Sequence, residues 1–226
     1  MTQSGENLLL HSVSSTVFQF LSPLIQNWSY LPMTNFSAGP IFYAHLCNDI
    51  VINQRRCIVE LGSGVSTILM ARLIRRNSLD ARIISVDHSP EWQNVVYRNL
   101  ERDGIEEFVS FVASPLVERK GEYSWYDRNP LDQIFASGVH HIDLLLVDGP
   151  PGYEKPFARF GAVPYFKPYL NEESFSIFLH DTDRSYEEES VKQWAAMLQN
   201  VQVTKSVRYT TLVRGSFLTT FPQTAV

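Results

Sequence analysis

The sequence contains little cysteine, with only Cys47 and Cys57 among its 226 residues. Two cysteines cannot build a disulfide framework, so we expect both to be free thiols in the interior. The apolar runs are also short, well below the roughly 18 residues that cross a bilayer. The first residues lack the charged region and the cleavage site of a secretory signal. These absences argue against a disulfide-stabilised or membrane-spanning protein and favour a cytoplasmic one.

Basic tracts are missing as well. The chain has 19 Lys and Arg against 24 Asp and Glu, which gives a formal net charge of -5. The basic residues are scattered, whereas proteins that bind nucleic acids concentrate them on one face or in one segment. We therefore expect a small molecule as the partner, with no nucleic acid and no membrane. The sequence leaves a homodimer open.

The chain has the length of one α/β domain with an N-terminal extension. Residues 1–53 are predicted to form a helical extension that serves as a lid or as a dimer face. In residues 54–226, short apolar runs alternate with segments of helical periodicity. The apolar runs lie at 57–61, 82–87, 108–112, 141–147 and 174–180, and two alternating segments follow at 201–208 and 210–214.

This order predicts an α/β fold of the Rossmann-like, doubly wound type. Strands that alternate with helices form a mainly parallel sheet that is covered on both faces. The two final segments are close enough in sequence to pair antiparallel, which gives seven strands with an antiparallel last strand. In such sheets ligands bind beyond the carboxyl ends of the strands. The residues that follow each strand are therefore the candidates for a site.

A turn with two glycines, Gly62 and Gly64, follows the first strand. Glycine lets the backbone turn tightly and approach a ligand, and the helix that follows offers free N–H groups. The dinucleotide fingerprint has a third glycine at the position where Thr67 stands. The turn therefore favours a nucleotide-type ligand without a pyrophosphate. A tight strand–helix turn that binds nothing is the alternative.

Polar side chains follow the other strands. Asp87 follows the second strand, where a carboxylate can bind the hydroxyls of a ribose or cap the next helix. Ser114 follows the third strand, among small residues that suit an adenine ring. Asp148 follows the fourth strand, and His180 and Asp181 follow the fifth. Carboxylates collected in a cleft indicate a metal, a cationic ligand or acid–base chemistry.

Four segments resemble motifs of class I S-adenosylmethionine (SAM)-dependent methyltransferases. They are VELGSG at 59–64, SVDHSPEW at 85–92, LLLVDGPPG at 144–152 and FLHDTDR at 178–184. The last two are similar to a bacterial branch with a VDGPPG loop, which contains many O-methyltransferases. The resemblance implies that residues 54–226 form a SAM-binding methyltransferase domain. It also implies methylation of a hydroxyl on a small molecule or a sugar-containing metabolite.

The resemblance also implies roles for individual residues. Carried over by position, Asp148 flanks the methyl-transfer site as a catalytic residue. Asp148 and Asp181 match the ligands of a divalent cation such as Mg²⁺ in metal-dependent O-methyltransferases of this fold. Those of the catechol type continue with Asp-Asn, and Asp181-Thr182 departs from that pattern, which leaves the metal requirement open. The residues implied in cofactor binding are Glu60, Gly62, Ser63, Gly64, Ser66, Thr67, Asp87, His88 and Ser114.

A hydroxyl acceptor needs a group that removes its proton, and His180 is our preferred base. The ordinary pKa of histidine, about 6.5, suits that task near neutral pH. A buried structural histidine is the alternative. Tyr153 and Arg159 follow the glycine–proline loop and are predicted to line the acceptor pocket, although a structural ion pair is the alternative for Arg159. The aromatic residues of the extension either cover the acceptor or complete the core; they include Trp28, Tyr30, Phe36 and Tyr43.

Other functions remain open at this point. The triplet Asp181-Thr182-Asp183 matches the DxD pattern with which nucleotide-sugar glycosyltransferases hold a metal. That function leaves the glycine turn unexplained. An NAD-dependent oxidoreductase is a further alternative, against which Thr67 argues. A SAM-binding protein without catalytic activity is a third, because a glycine turn indicates binding and not turnover.

Overall fold

The computed structural model describes residues 16–118, 124–135, 141–152, 155–217 and 220–222. Short apolar runs form the central strands of the sheet, as expected for segments that are buried on both faces of a parallel sheet. In chain order the described strands are β1 (Cys57–Leu61), β2 (Arg82–Asp87), β3 (Val109–Ala113), β4 (Leu116–Val117), β5 (Trp125–Tyr126), β6 (Leu144–Val147), β7 (Phe175–His180), β8 (Gln202–Lys205) and β9 (Tyr209–Arg214).

Seven of these strands form one sheet in the order β3-β2-β1-β6-β7-β9-β8. The neighbours from β3 to β7 pair in parallel, and β9 is antiparallel to both β7 and β8. The strand order reverses between β1 and β6, which is the switch point where ligands bind in folds of this type. The predicted fold class, including the antiparallel last strand, is confirmed.

Helices connect the strands and cover the sheet. Within the described ranges the helices are α1 (Ser22–Ile25), α2 (Pro40–Ile52), α3 (Val65–Asn77), α4 (Pro90–Asp103), α5 (Arg128–Phe135), α6 (Ala162–Phe166) and α7 (Ser185–Leu198). Residues 16–20 are helical as well. In the described part of the chain, no helix is long and apolar enough to cross a bilayer.

The strands send alternate side chains into two cores, one on each face of the sheet. In β1, Ile58 belongs to one cluster, whereas Val59 and Leu61 belong to the other. This alternation follows from the two-residue period of a strand. Phe42 and Leu46 of α2 belong to the same cluster as Ile58, so α2 packs on the domain core. The division between residues 53 and 54 stays a prediction.

A buried ion pair holds the segment that precedes α2. Nη2 of Arg72 lies 2.7 Å from Oδ2 of Asp103, and both side chains are almost fully buried. Arg72 also donates to the carbonyls of Leu24 and Ser29, each at 2.9 Å. The amide of Ser29 donates to the other oxygen of Asp103. This pair therefore ties the segment that precedes α2 to α3 and to the end of α4.

The register brings the ends of four parallel strands to one edge of the sheet. Leu61 is level with Val86 of β2 and with Val147 of β6. Val147 is in turn level with Leu179 of β7. The residues that follow these positions therefore lie side by side, and they are Gly62, Asp87, Asp148 and His180.

Some elements differ from the sequence-based expectations. The antiparallel pair of β4 and β5 was not predicted, because two-residue strands carry no periodicity. The helix α5 was also not predicted; its proline, Pro130, lies in the first turn, where a missing N–H is tolerated. Within the predicted helical extension, the first helical segment is interrupted at Leu21, and residues 1–15 lie outside the described residues.

Candidate functional site

A cavity of about 600 Å³ opens at this edge of the sheet. This volume is in the range of small-molecule sites. The loops after four strands and the segment before α2 form its walls. The lining includes residues 34–37, Tyr43, 62–66, 87–89, Trp92, Tyr126, 148–149, 151–152, Arg159, 180–181, Arg184 and Arg208.

The two glycines of the first loop have different structural roles. Gly62 has a φ of 98°, and a Cβ there would lie 3.0 Å from the backbone of both Asp148 and Gly149. A Cβ on Gly149 would lie 2.9 Å from Cα of Gly62. Gly64 has an extended φ of 176°, and a Cβ there would meet nothing within 4 Å. Gly62 therefore makes the turn, whereas Gly64 leaves space on the cavity wall.

Glu60 lies beneath this turn and is fully buried. Its carboxylate accepts hydrogen bonds from the hydroxyls of Ser66, Thr67 and Ser85. Thr67 Oγ1 also accepts from the amide of Gly64 at 2.8 Å. Burial raises the pKa of Glu60 to about 7, although the three hydroxyls act in the opposite direction. Glu60 and Thr67 are not among the described residues that line the cavity, so they shape the turn from below.

Asp87 joins the second strand end to the glycine turn. Its Oδ2 accepts from the amide of Ser63, and its Oδ1 accepts from the amide of Ser89, both at 2.9 Å. Burial raises the pKa of Asp87, while the backbone amides and His88 act in the opposite direction. Trp92 donates from Nε1 to the carbonyl of Ser63 at 2.6 Å. The carboxylate therefore organises the loop and also stands on the cavity wall beside His88.

Ser114 is fully buried, and its hydroxyl donates to the carbonyl of Asp127 at 2.8 Å. It is not among the described residues that line the cavity, so its predicted place beside an adenine stays a prediction. Tyr126 of β5 lines the cavity instead. Its hydroxyl is buried and has no hydrogen-bond partner within the described ranges. Sequence reasoning missed Tyr126, because nothing in its local pattern marks a two-residue strand.

The fourth and fifth strand ends bring Asp148, His180 and Asp181 together. Nδ1 of His180 lies 3.0 Å from Oδ1 of Asp148 and 3.4 Å from Oδ1 of Asp181. The three side chains offer potential metal-ligand atoms within 4.8 Å of one another. Asp181 has a φ of 57°, a left-handed conformation that aspartate tolerates better than most residues. The predicted catalytic and metal-ligating residues therefore form one cluster.

Three arginines surround this cluster. Nη2 of Arg159 lies 3.2 Å from Oδ1 of Asp148 and 3.1 Å from Oδ2 of Asp181. Arg184 and Arg208 also pair with Asp181. Burial raises the pKa of Asp181, but these arginines and His180 outweigh it and hold that pKa below its ordinary value. The sequence did not indicate the pairing of Arg184 and Arg208, because they come from two separate loops.

The predicted substrate residues have different outcomes. Arg159 lines the cavity and forms the ion pair that was the structural alternative, whereas its contact with a substrate stays a prediction. Tyr153 lies outside the described residues. Within the extension, Phe36 and Tyr43 line the cavity. Trp28 instead packs against Arg72, whose guanidinium carbon lies 5.4 Å from the centroid of the Trp28 ring. Tyr30 is 86% exposed.

Comparison with known families identifies the class of the chain. Residues 59–182, more than half of the sequence, match the family described as "Methyltransferase domain". The chain therefore belongs to this family of methyltransferase domains. No curated protein matches the sequence at a significant level.

Solved structures share the fold at low sequence identity. The SAH-bound methyltransferase PaMTH1 from Podospora anserina has a TM-score of 0.61 at 14% identity, covering 95% of this chain and 96% of its own. An O-methyltransferase from Bacillus cereus in complex with SAH has a TM-score of 0.59 at 16% identity, with coverage of 90% and 91%. The O-methyltransferase TomG from Streptomyces achromogenes, in complex with SAM, has a TM-score of 0.58 at 16% identity, with coverage of 89% and 90%.

The contrast between the two glycines gives a first prediction. Gly62→Ala places a Cβ against the backbone of residues 148 and 149 at a positive φ, so we expect a loss of about 2 kcal/mol or more in unfolding free energy. Gly64→Ala meets open space, so we expect a change within about 0.5 kcal/mol. Urea unfolding of both variants measures this. Equal losses of unfolding free energy in the two variants would contradict the separate roles of Gly62 and Gly64.

The raised pKa of Glu60 gives a second prediction. The folded state holds this proton more tightly than the unfolded chain, so the group's contribution to stability is complete below about pH 4.5 and falls up to about pH 7. We expect Glu60→Gln to remove a decline on the order of 3 kcal/mol across that range. Urea unfolding at several pH values measures it, with the exposed Glu101→Gln as the control. A pH profile identical to that of the wild type would refute this.

Proposed function

We propose that this protein is a SAM-dependent methyltransferase that methylates a hydroxyl of a small molecule or a sugar-containing metabolite. One observation carries the proposal. The glycine turn and the carboxylate of Asp87 stand on the wall of one cavity in a chain of the methyltransferase-domain family. Structural neighbours with SAM or SAH bound support this choice of cofactor.

In this proposal the cavity wall divides into parts with separate tasks. Gly62, Ser63, Gly64 and Ser66 face the methionine end of the cofactor, because open backbone and a helix N-terminus are available there. Asp87, with His88 beside it, accepts the ribose hydroxyls. The buried Glu60, Thr67 and Ser114 act indirectly, since their side chains hold the loops that make these contacts.

His180 is the proposed base for the acceptor hydroxyl. Bound SAM supplies a methyl group that is already activated. Asp148 accepts from Nδ1 of His180, which fixes the tautomer with a lone pair on Nε2. That lone pair takes the proton of the hydroxyl as the acceptor oxygen becomes a nucleophile. Arg159 in turn holds Asp148 in place through its ion pair.

The alternative functions have less support. In the DxD interpretation Asp181 has to be free for a metal, but three arginines already pair with it. The fold neighbours and the matched family are methyltransferases, with no support for an NAD-dependent oxidoreductase. A SAM-binding protein without activity differs from our proposal only in turnover, so an assay of SAH formation distinguishes the two.

The first experiment tests cofactor binding by calorimetry with SAH, the demethylated product. We expect the wild-type protein to bind SAH and Asp87→Asn to bind it roughly ten-fold more weakly or worse, because a charged acceptor for the ribose is lost. Glu91→Ala, an exposed change in the helix that follows Asp87, is the control and should bind as the wild type does. No SAH binding by the wild type would overturn the proposed function. Unchanged affinity in Asp87→Asn would overturn the ribose assignment alone.

The second experiment tests the base. Formation of SAH is followed with a panel of hydroxylated acceptors. We expect His180→Gln to lower turnover by about 10²–10⁴-fold, the usual contribution of a general base, and to leave SAH affinity unchanged. Thermal unfolding of the variant checks that it is folded. Full turnover in His180→Gln would exclude this residue as the base, and no turnover by the wild type would favour a binding protein.

A further inference from the structure

We propose that the guanidinium of Arg159 is a built-in cation that takes the place of a divalent metal between Asp148 and Asp181. The two carboxylates and His180 offer ligand atoms within 4.8 Å, a spacing that suggests a metal site. Three features of the described structure favour Arg159 as the permanent occupant. The inference goes beyond the proposed function and does not depend on the identity of the cofactor.

The first feature is the position of Arg159. Its Nη2 lies between the carboxylates, 3.2 Å from Oδ1 of Asp148 and 3.1 Å from Oδ2 of Asp181. A metal bridging these two oxygens has to use the space that Nη2 fills. Mg²⁺ demands oxygen ligands at about 2.0–2.1 Å in near-octahedral geometry. Arg159 therefore has to leave before both carboxylates can close on a metal.

The second feature is how firmly Arg159 is held. Its Nε donates to the carbonyl of Pro150 at 3.2 Å, and its Nη1 donates to the carbonyl of His180 at 2.9 Å. Nη2 also donates to the carbonyl of Asp148 at 3.0 Å. The side chain is only 4% exposed. If Arg159 leaves, these hydrogen bonds break and the carbonyls of Asp148, Pro150 and His180 lose this donor, which is costly in a buried site.

The third feature is the balance of charge. Asp181 also pairs with Arg184 at 3.0 Å and with Arg208. Asp183 faces Arg208 at 3.7 Å but is half exposed, so its compensation is weak. Three guanidinium groups thus contact the two carboxylates of the cluster. The buried carboxyl of Glu187 also interacts with Arg159 and Arg184, but burial raises its pKa and disfavours its charge, so a divalent cation placed among the guanidinium groups is repelled. His180 is engaged too, since its Nδ1 lies 3.0 Å from Asp148.

With Arg159 in place, the positive charge beside Asp148 and Asp181 comes from an arginine and not from a metal. A metal lowers the pKa of a hydroxyl that it binds. The nitrogens of Arg159 donate to acceptors of the protein, so Arg159 does not bind the acceptor hydroxyl in this way. Arg159 is therefore a positioning residue that keeps Asp148 next to His180. Proton removal then rests on the histidine, and a chelator should not affect it.

Titration with Mn²⁺ tests this, because free and bound Mn²⁺ differ in their electron paramagnetic resonance signal. We expect no binding by the wild-type protein at millimolar Mn²⁺, with or without SAH. Arg159→Gln removes the cation and leaves both carboxylates, so we expect it to bind Mn²⁺ at concentrations at least ten-fold below the highest one at which the wild type shows no binding. Arg208→Gln is the matched control, since it removes one guanidinium from Asp181 but leaves Arg159 in place. This control should still show no binding, because Arg159 keeps its place between the two carboxylates.

Thermal unfolding provides a second readout. We expect Mn²⁺ to raise the unfolding temperature of Arg159→Gln and not that of the wild type, because the metal then neutralises the carboxylates. Wild-type binding of Mn²⁺ that is lost in Asp148→Asn would overturn the inference. So would a folded Arg159→Gln that gains no affinity. Should this variant fail to fold, the wild-type titration decides alone. Neither result bears on SAH binding, which tests the proposed function separately.

Discussion

The ion pairs of Arg159 connect the two loops that carry the chemical groups of the site. One loop follows β6 and contains Asp148, and the other contains Asp181 and follows His180, the last residue of β7. Parallel strands bring these loops to one edge, but strand pairing ends before the loops begin. The guanidinium supplies the missing connection, because it contacts carboxylates and backbone carbonyls of both loops. The contact between His180 and Asp148 depends on this arrangement.

The cofactor side of the cavity is organised in a similar way by carboxylates that accept hydrogen bonds. Glu60 collects hydroxyls beneath the glycine turn, and Asp87 collects amides at its side. Both groups are buried, so the bonds they accept are strong and costly to lose. The segment before α2 completes the cavity from outside and is tied to the core through Arg72 and Asp103. Loops that lack regular structure thus obtain fixed positions from charged groups.

The fold and one side of the site were predictable from the sequence for a physical reason. Apolar runs fix where strands begin and end, and parallel strands end at one edge, so Gly62, Asp87 and Asp148 had to be neighbours. The glycine turn was also correctly placed, although the separate roles of Gly62 and Gly64 depend on backbone angles that a sequence does not show.

The remaining parts of the site depend on contacts between loops. Arg208 reaches Asp181 from the turn between β8 and β9, and no local pattern indicates that pairing. Tyr126 enters the wall from a strand too short to recognise. Glu60 lies two residues before Gly62 in the sequence, but its side chain is buried beneath the glycine turn and does not line the cavity. The reason is that alternate residues of a strand point to opposite faces of the sheet. Spacing alone does not separate a residue that touches a ligand from one that supports it.

The close approach of Gly62 and Gly149 limits how this protein can change. A bulky substitution in a core is often tolerated after a neighbour becomes smaller. Here each position faces the backbone of the other, and both already have no side chain. No second substitution can therefore restore the space, and the two positions are fixed as a pair. Any redesign of the cavity has to begin from residues other than these two.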